Sequence, residues 1–163
     1  MIKQMIGDIL TSDAGIICHQ VNCQGAFGSG MAGHIKDKYP EVCKEYKEYT
    51  QTMLSRFIKE NLKSDILLGH TMYSVIGDGK YIAHLYGQNF YGRDGKLYTD
   101  YPALAKTFVS VKNRAAIGKI TTIAFPYGMG CNNAGGDWKI VSDMIKTAFS
   151  DFDGTVEIWR LEG

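Results

Sequence analysis

Two stretches of this chain share an arrangement that few folds accommodate: an apolar, β-branched run feeds a glycine-rich loop, and the loop feeds a helix. The first is Ile16 to Asn22, followed by Gly25, Gly28 and Gly30 and a helical pattern from about Met31. The second is Ile120 to Phe125, followed by Gly128, Gly130, Gly135 and Gly136 and a helical pattern from about Trp138. Glycine lets the backbone turn its N–H groups inward, and each following helix start adds unpaired N–H groups and a partial positive charge. Both loops are therefore equipped to hold an anion without Lys or Arg. In α/β folds, loops at the carboxyl ends of neighbouring strands converge on one crevice, so a matched pair suits a diphosphate. The alternative is that both are merely tight turns between strand and helix.

The remaining pattern agrees with an α/β domain. Strand-like runs occur at about Ile2 to Ile6, Ile16 to Val21, Ile66 to Ile76, Tyr81 to Tyr86, Ile120 to Phe125 and Val156 to Leu161. Helical spacing appears over Met31 to Lys38 and Glu41 to Thr52, separated by Pro40, and again over Tyr101 to Ala116 and Trp138 to Phe149. Gly77-Asp78-Gly79-Lys80 has hairpin chemistry, which makes the sheet mixed rather than purely parallel. No linker-like stretch or internal repeat divides the 163 residues, so one domain is expected.

Composition removes several function classes. With 18 Lys and Arg against 17 Asp and Glu, the chain lacks the broad basic field of a nucleic-acid binder, so nucleic acid is an unlikely partner. No apolar run approaches the ~20 residues of a membrane span, and the start carries no signal-peptide profile, so the expected setting is cytoplasmic, away from membranes. Cys18, Cys23, Cys43 and Cys131 contain no C-x-x-C pair and are read as reduced thiols; neither they nor the four histidines suggest a metal site, and no cofactor is expected. Gly25-x-x-Gly28-x-Gly30 has the wrong order for a dinucleotide fingerprint, and no Walker sequence is present.

Three segments carry a family resemblance: Gln20-Val21-Asn22-Cys23-Gln24-Gly25, Gly28-Ser29-Gly30-Met31-Ala32, and Pro126-Tyr127-Gly128-Met129-Gly130-Cys131-Asn132-Asn133-Ala134-Gly135-Gly136-Asp137-Trp138. Together they resemble a macrodomain, most closely the short bacterial and phage-type members grouped with ADP-ribose 1''-phosphate phosphatases and with the terminal ADP-ribose glycohydrolase branch. The resemblance implies a three-layer α/β/α fold, a six-stranded mixed sheet and a cleft for ADP-ribose or a derivative, including ADP-ribosylated protein. It also implies that Asp8 accepts the adenine amino group with the Ile9 N–H beside it, and that Asn22 contacts the distal ribose. Gly28, Ser29, Gly30 and Met31 on one loop, and Tyr127, Gly128, Met129, Gly130, Cys131 and Asn132 on the other, are the expected diphosphate contacts.

Two residues are catalytic candidates. His19 matches a histidine with a catalytic role in phosphatase-like relatives, and imidazole suits proton transfer near neutral pH; strand alternation equally allows an interior position. Asp137, at the start of the last helix, suits either helix capping or the orientation of water. Asp8 and Asn22 likewise serve equally well as turn residues. The glycohydrolase branch uses a lysine and an aspartate where this chain has Gln88 and Ala134, which removes its lysine chemistry. Arg93 is a candidate to meet a terminal phosphate, although a solvated loop charge is the commoner outcome, and Trp159 is a weaker adenine-packing candidate. The expected function is ADP-ribose binding with hydrolysis of a terminal derivative; the alternative is a binding module without chemistry.

Overall fold

A computed structural model describes residues 1–162. The strands are β1 (Ile2–Ile6), β2 (Ile16–Asn22), β3 (Thr71–Gly77), β4 (Lys80–Gln88), β5 (Thr122–Pro126) and β6 (Thr155–Arg160). The helices are α1 (Gly30–Lys38), α2 (Pro40–Lys59), α3 (Tyr101–Gly118) and α4 (Trp138–Ala148). The strands form one sheet in the order β1-β6-β5-β2-β4-β3. Every neighbouring pair is parallel except β3 and β4, which run antiparallel through the turn at Asp78 and Gly79. The mixed sheet follows from that hairpin, as expected.

Side-chain alternation along the central strands divides the core in two. Ile17 and Val21 of β2 face Ile35 of α1 and Val42, Tyr46 and Phe57 of α2. Ile16 and Cys18 face Leu104, Phe108 and Val111 of α3 and Val141 and Ile145 of α4. The result is the three-layer α/β/α arrangement.

Three boundaries differ from the sequence reading. Ile66 to His70 is not strand: Ser64–Leu67 is a short 3-10 helix, and Gly69 at φ +85° turns the chain before β3 begins at Thr71. The buried Leu67 gives this segment a strand-like apolar run although its backbone is coiled. Helix α2 runs seven residues beyond Thr52, because Phe57 continues the buried face of Val42, Cys43 and Tyr46. Strand β5 starts at Thr122, after Lys119 ends α3 in a left-handed conformation.

Parallel strands send their carboxyl ends to the same edge of the sheet. There β1 leads into Gly7-Asp8, β2 into the first glycine loop (residues 23–29), β5 into the second (residues 127–137), and β6 into Leu161. The converging loops anticipated from the sequence therefore sit side by side. Among the described residues, no helix is long and apolar enough to cross a membrane, and no cluster of His, Cys, Asp or Glu could hold a metal ion.

Candidate functional site

Two connected cavities occupy this edge. One, of about 460 Å³, runs from Asp8, Ile9 and Trp159 past Met31 to Gly128 and Gly130. The other, of about 550 Å³, lies between Asn22, Gly28 and Arg93. Gln20, Ser29, Ala32, Gln88, Asn133 and Ala134 border both, so the two form a single elongated cleft with a waist between the glycine loops. Each chamber has the size of a small-ligand pocket.

Both loops present free backbone donors at the waist. Among the described residues, the N–H groups of Gly28, Ser29 and Gly30 in the first loop, and of Gly128, Gly130 and Asn132 in the second, have no protein partner. Ser29 is the N-cap of α1 but its side chain makes no capping bond, whereas Asp100 and Asp137 cap α3 and α4. The first turn of α1 thus keeps its donors and its dipole for a ligand. Gly30, Gly128 and Gly130 have φ of +57°, +76° and +76°, values that favour glycine.

A side-chain network pins the second loop. The Gln88 amide donates to the Phe90 carbonyl at 2.9 Å, which turns its Oε1 toward Gln20. Gln20 Nε2 donates to Gln88 Oε1 and to Thr99 Oγ1, each at 2.9 Å, and Thr99 donates to the Gly130 carbonyl at 2.6 Å. A neutral amide at position 88 therefore helps to build the waist. Lys80 is committed elsewhere, to the Ser12 carbonyl at 2.7 Å, and Lys96 lies 3.7 Å from Asp94 on the exposed connection.

At the far end of the first chamber, Asp8 Oδ1 accepts from the Leu10 N–H at 2.9 Å and from His34 Nε2 at 2.7 Å. Partial burial raises the Asp8 pKa, but the hydrogen bonds from His34 and Leu10 outweigh it and hold the carboxyl below its ordinary value. Trp159 lines the wall, its indole N–H donating to Glu157 at 2.9 Å. Arg160 lies over the Tyr127 ring, 4.7 Å from its centroid, and closes the same end.

Ile9, Ser29, Gly30, Met31, Tyr127, Gly128, Met129, Gly130 and Asn132 line the first chamber, and Gly28 the second. Four other expected residues are placed as follows. Asn22 borders the distal chamber and also holds the loop, with one N–H of its carboxamide left for a ligand. Its Nδ2 donates to Ala26, and its Oδ1 accepts from Gln24, Ala26 and Tyr46. Cys131 lies outside the cleft lining: its N–H donates to Gly128 and its thiol to Met129, and burial with the Asp137 charge pushes the thiol up to about 11.

Asp137 also lies outside the lining. Its Oδ1 accepts from Lys139 N at 2.9 Å, so capping of α4 is the role its geometry serves. Asp137→Ala is expected to lower stability by about 1 kcal/mol, read by urea unfolding, while leaving ligand affinity unchanged. A loss of affinity without a loss of stability would contradict this.

His19 is the fourth of these residues. It lies at the floor of the first chamber but is buried, with Nε2 2.7 Å from His84 Nδ1. His84 Nε2 lies 2.9 Å from Ser74 Oγ, and the rings of Phe27 and Tyr46 enclose the pair. Burial pulls His19 down to about 3, which favours the neutral ring. Its Nδ1 has no partner among the described residues.

The sequence reading missed His34, Gln20, Asn133 and Arg160. His34 lies one turn beyond Gly30 on α1, a spacing that places both on the same side of the helix.

No family model matches the sequence. A stretch of 55 residues is 38% identical to the ADP-ribose 1''-phosphate phosphatase of Neosartorya fischeri, covering 33% of this chain but 28% of that protein. The chain thus spans little more than a quarter of that relative's length. The fold as a whole matches the macrodomain of Mycobacterium tuberculosis DarG with a TM-score of 0.78, at 21% identity over 98% of this chain and 97% of that one. The chain has the macrodomain fold. A second solved structure, Thermosipho africanus DarTG in complex with ADP-ribose, matches with a TM-score of 0.73 at 16% identity, over 97% of this chain and 41% of that chain.

Proposed function

We propose that this macrodomain binds ADP-ribose along the cleft and hydrolyses a terminal group from its distal ribose, with the phosphate of ADP-ribose 1''-phosphate as first candidate. The observation that carries the binding is the waist, where unpartnered N–H groups of both glycine loops meet between two chambers. A diphosphate placed there is neutralised by backbone dipoles, with adenosine on the Asp8 side and the distal ribose on the Arg93 side. Asp8 accepts from the adenine amino group, a donor that guanine lacks at that edge. Arg93 borders the distal chamber, where its guanidinium suits a terminal phosphate. The phosphatase name of the partial relatives supports the same substrate class. Four unpaired cysteines fit a cytosolic setting.

A second reading, recognition of free or protein-linked ADP-ribose without turnover, is favoured by His19, which is neutral and interior, and by Asp137, which lies outside the cleft. Phosphate release from ADP-ribose 1''-phosphate separates the two. Turnover that Arg93→Ala slows by about tenfold or more, with ADP-ribose affinity little changed, is the expected result. Tight ADP-ribose binding with no release from phosphate or ester derivatives would leave the binding module.

A further inference from the structure

We propose that His34 is a positioning residue for base recognition: its hydrogen bond to Asp8 fixes the carboxylate that reads the amino edge of adenine. This rests on the ADP-ribose reading above and adds to it a residue on a different element. Asp8 follows β1, whereas His34 projects from α1, and the two meet at 2.7 Å in the wall of the first chamber. A carboxylate only accepts, so His34 Nε2 carries the proton in this contact.

Rotation of an aspartate carboxylate about its last torsion is broad, and a single backbone donor leaves its plane poorly fixed. The Leu10 N–H supplies one contact and His34 the second, both to Oδ1. Oδ2 then has no partner among the described residues and stands as the acceptor left for a ligand. Water competes at this site, since the Asp8 side chain is 36% exposed and that of His34 45%. The second donor is what keeps Oδ2 directed. His34 also lies on the helix whose N-terminus serves the diphosphate, so the base contact and the anion contact share one rigid element.

The test compares calorimetric titrations of the whole chain with ADP-ribose and with its hypoxanthine counterpart, in which a carbonyl replaces the amino group. The unaltered protein is expected to favour adenine by about tenfold or more, because a site built around a directed acceptor rejects the analogue without the donor. His34→Ala is expected to narrow that preference to within about threefold, and His34→Gln, whose amide reaches Oδ1 from a similar distance, to restore most of it. A merely structural role would weaken both ligands alike and leave the ratio unchanged. An unchanged ratio in His34→Ala, or a Gln variant no better than Ala, overturns the inference and leaves the proposed function standing. Failure of the unaltered chain to bind ADP-ribose removes both.

Discussion

Gly130→Val is expected to weaken ADP-ribose binding by about a hundredfold or more while the protein remains folded. Gly130 has φ +76°, a conformation that β-branched residues strongly avoid. A Cβ there would also lie 2.8 Å from Gln20 Oε1 and 3.0 Å from Thr99 Oγ1. Those side chains belong to the network that holds the second loop, so relief of the clash displaces the Gly130 carbonyl and its neighbouring N–H groups. The strain amounts to about 1–3 kcal/mol at one half-buried turn, too little to unfold a domain of this size but enough to misalign donors whose geometry determines binding. Calorimetry gives the affinity, and a thermal melt separates a local effect from a global one. Full affinity in a folded Gly130→Val protein would place the diphosphate elsewhere.

The second large effect concerns acid. His19 and His84 are buried and mutually bonded, and both are held neutral. Burial brings His19 to about 3; burial, then the nearby His19, takes His84 well below its ordinary value. In the unfolded chain both titrate near ~6.5. Between that value and about 3, the unfolded state binds more protons than the folded one, so stability is greatest above pH ~6.5 and declines as pH falls through the window. Each imidazole contributes a loss of up to about 2 kcal/mol between pH ~6.5 and ~5. Urea unfolding across this range is expected to show a steep fall. The ring-proton resonances of His19 and His84 are expected to hold their neutral positions in the folded protein down to pH ~5. Ordinary titration of both rings near pH ~6.5 in the folded state would contradict the buried pair.

What was legible in the sequence followed from local chemistry. The hairpin at Asp78-Gly79 announced the antiparallel edge, and the apolar run from Ile16 to Val21 announced a strand. The glycine loops pointed to a shared crevice because strand order does not alter which ends of parallel strands they follow. Less legible were properties decided by partners distant in the chain. Asn22 reads equally as a sugar ligand or as a loop clasp, and the clasp becomes visible only with the positions of Ala26 and Tyr46. Strand periodicity gives His19 a face of the sheet, but the partner of its Nε2 is His84, 65 residues away. Asp137 was ambiguous because an N-cap and a water-orienting carboxylate have the same local signature. His34 was missed because its partner Asp8 lies on another element, 26 residues earlier. Helix α2 ran past its expected end because Phe57 comes two turns after Thr50, beyond the reach of the local pattern.

The central claim is that two backbone cradles, from different strands, grip one dianion between them. A crystal structure of the complex with ADP-ribose tests it most directly. The account predicts diphosphate oxygens within hydrogen-bond distance of N–H groups in Gly28–Gly30 on one side and Gly128–Asn132 on the other, with adenine against Asp8. A nucleotide bound outside this cleft, or one whose diphosphate touches only one loop, would contradict it.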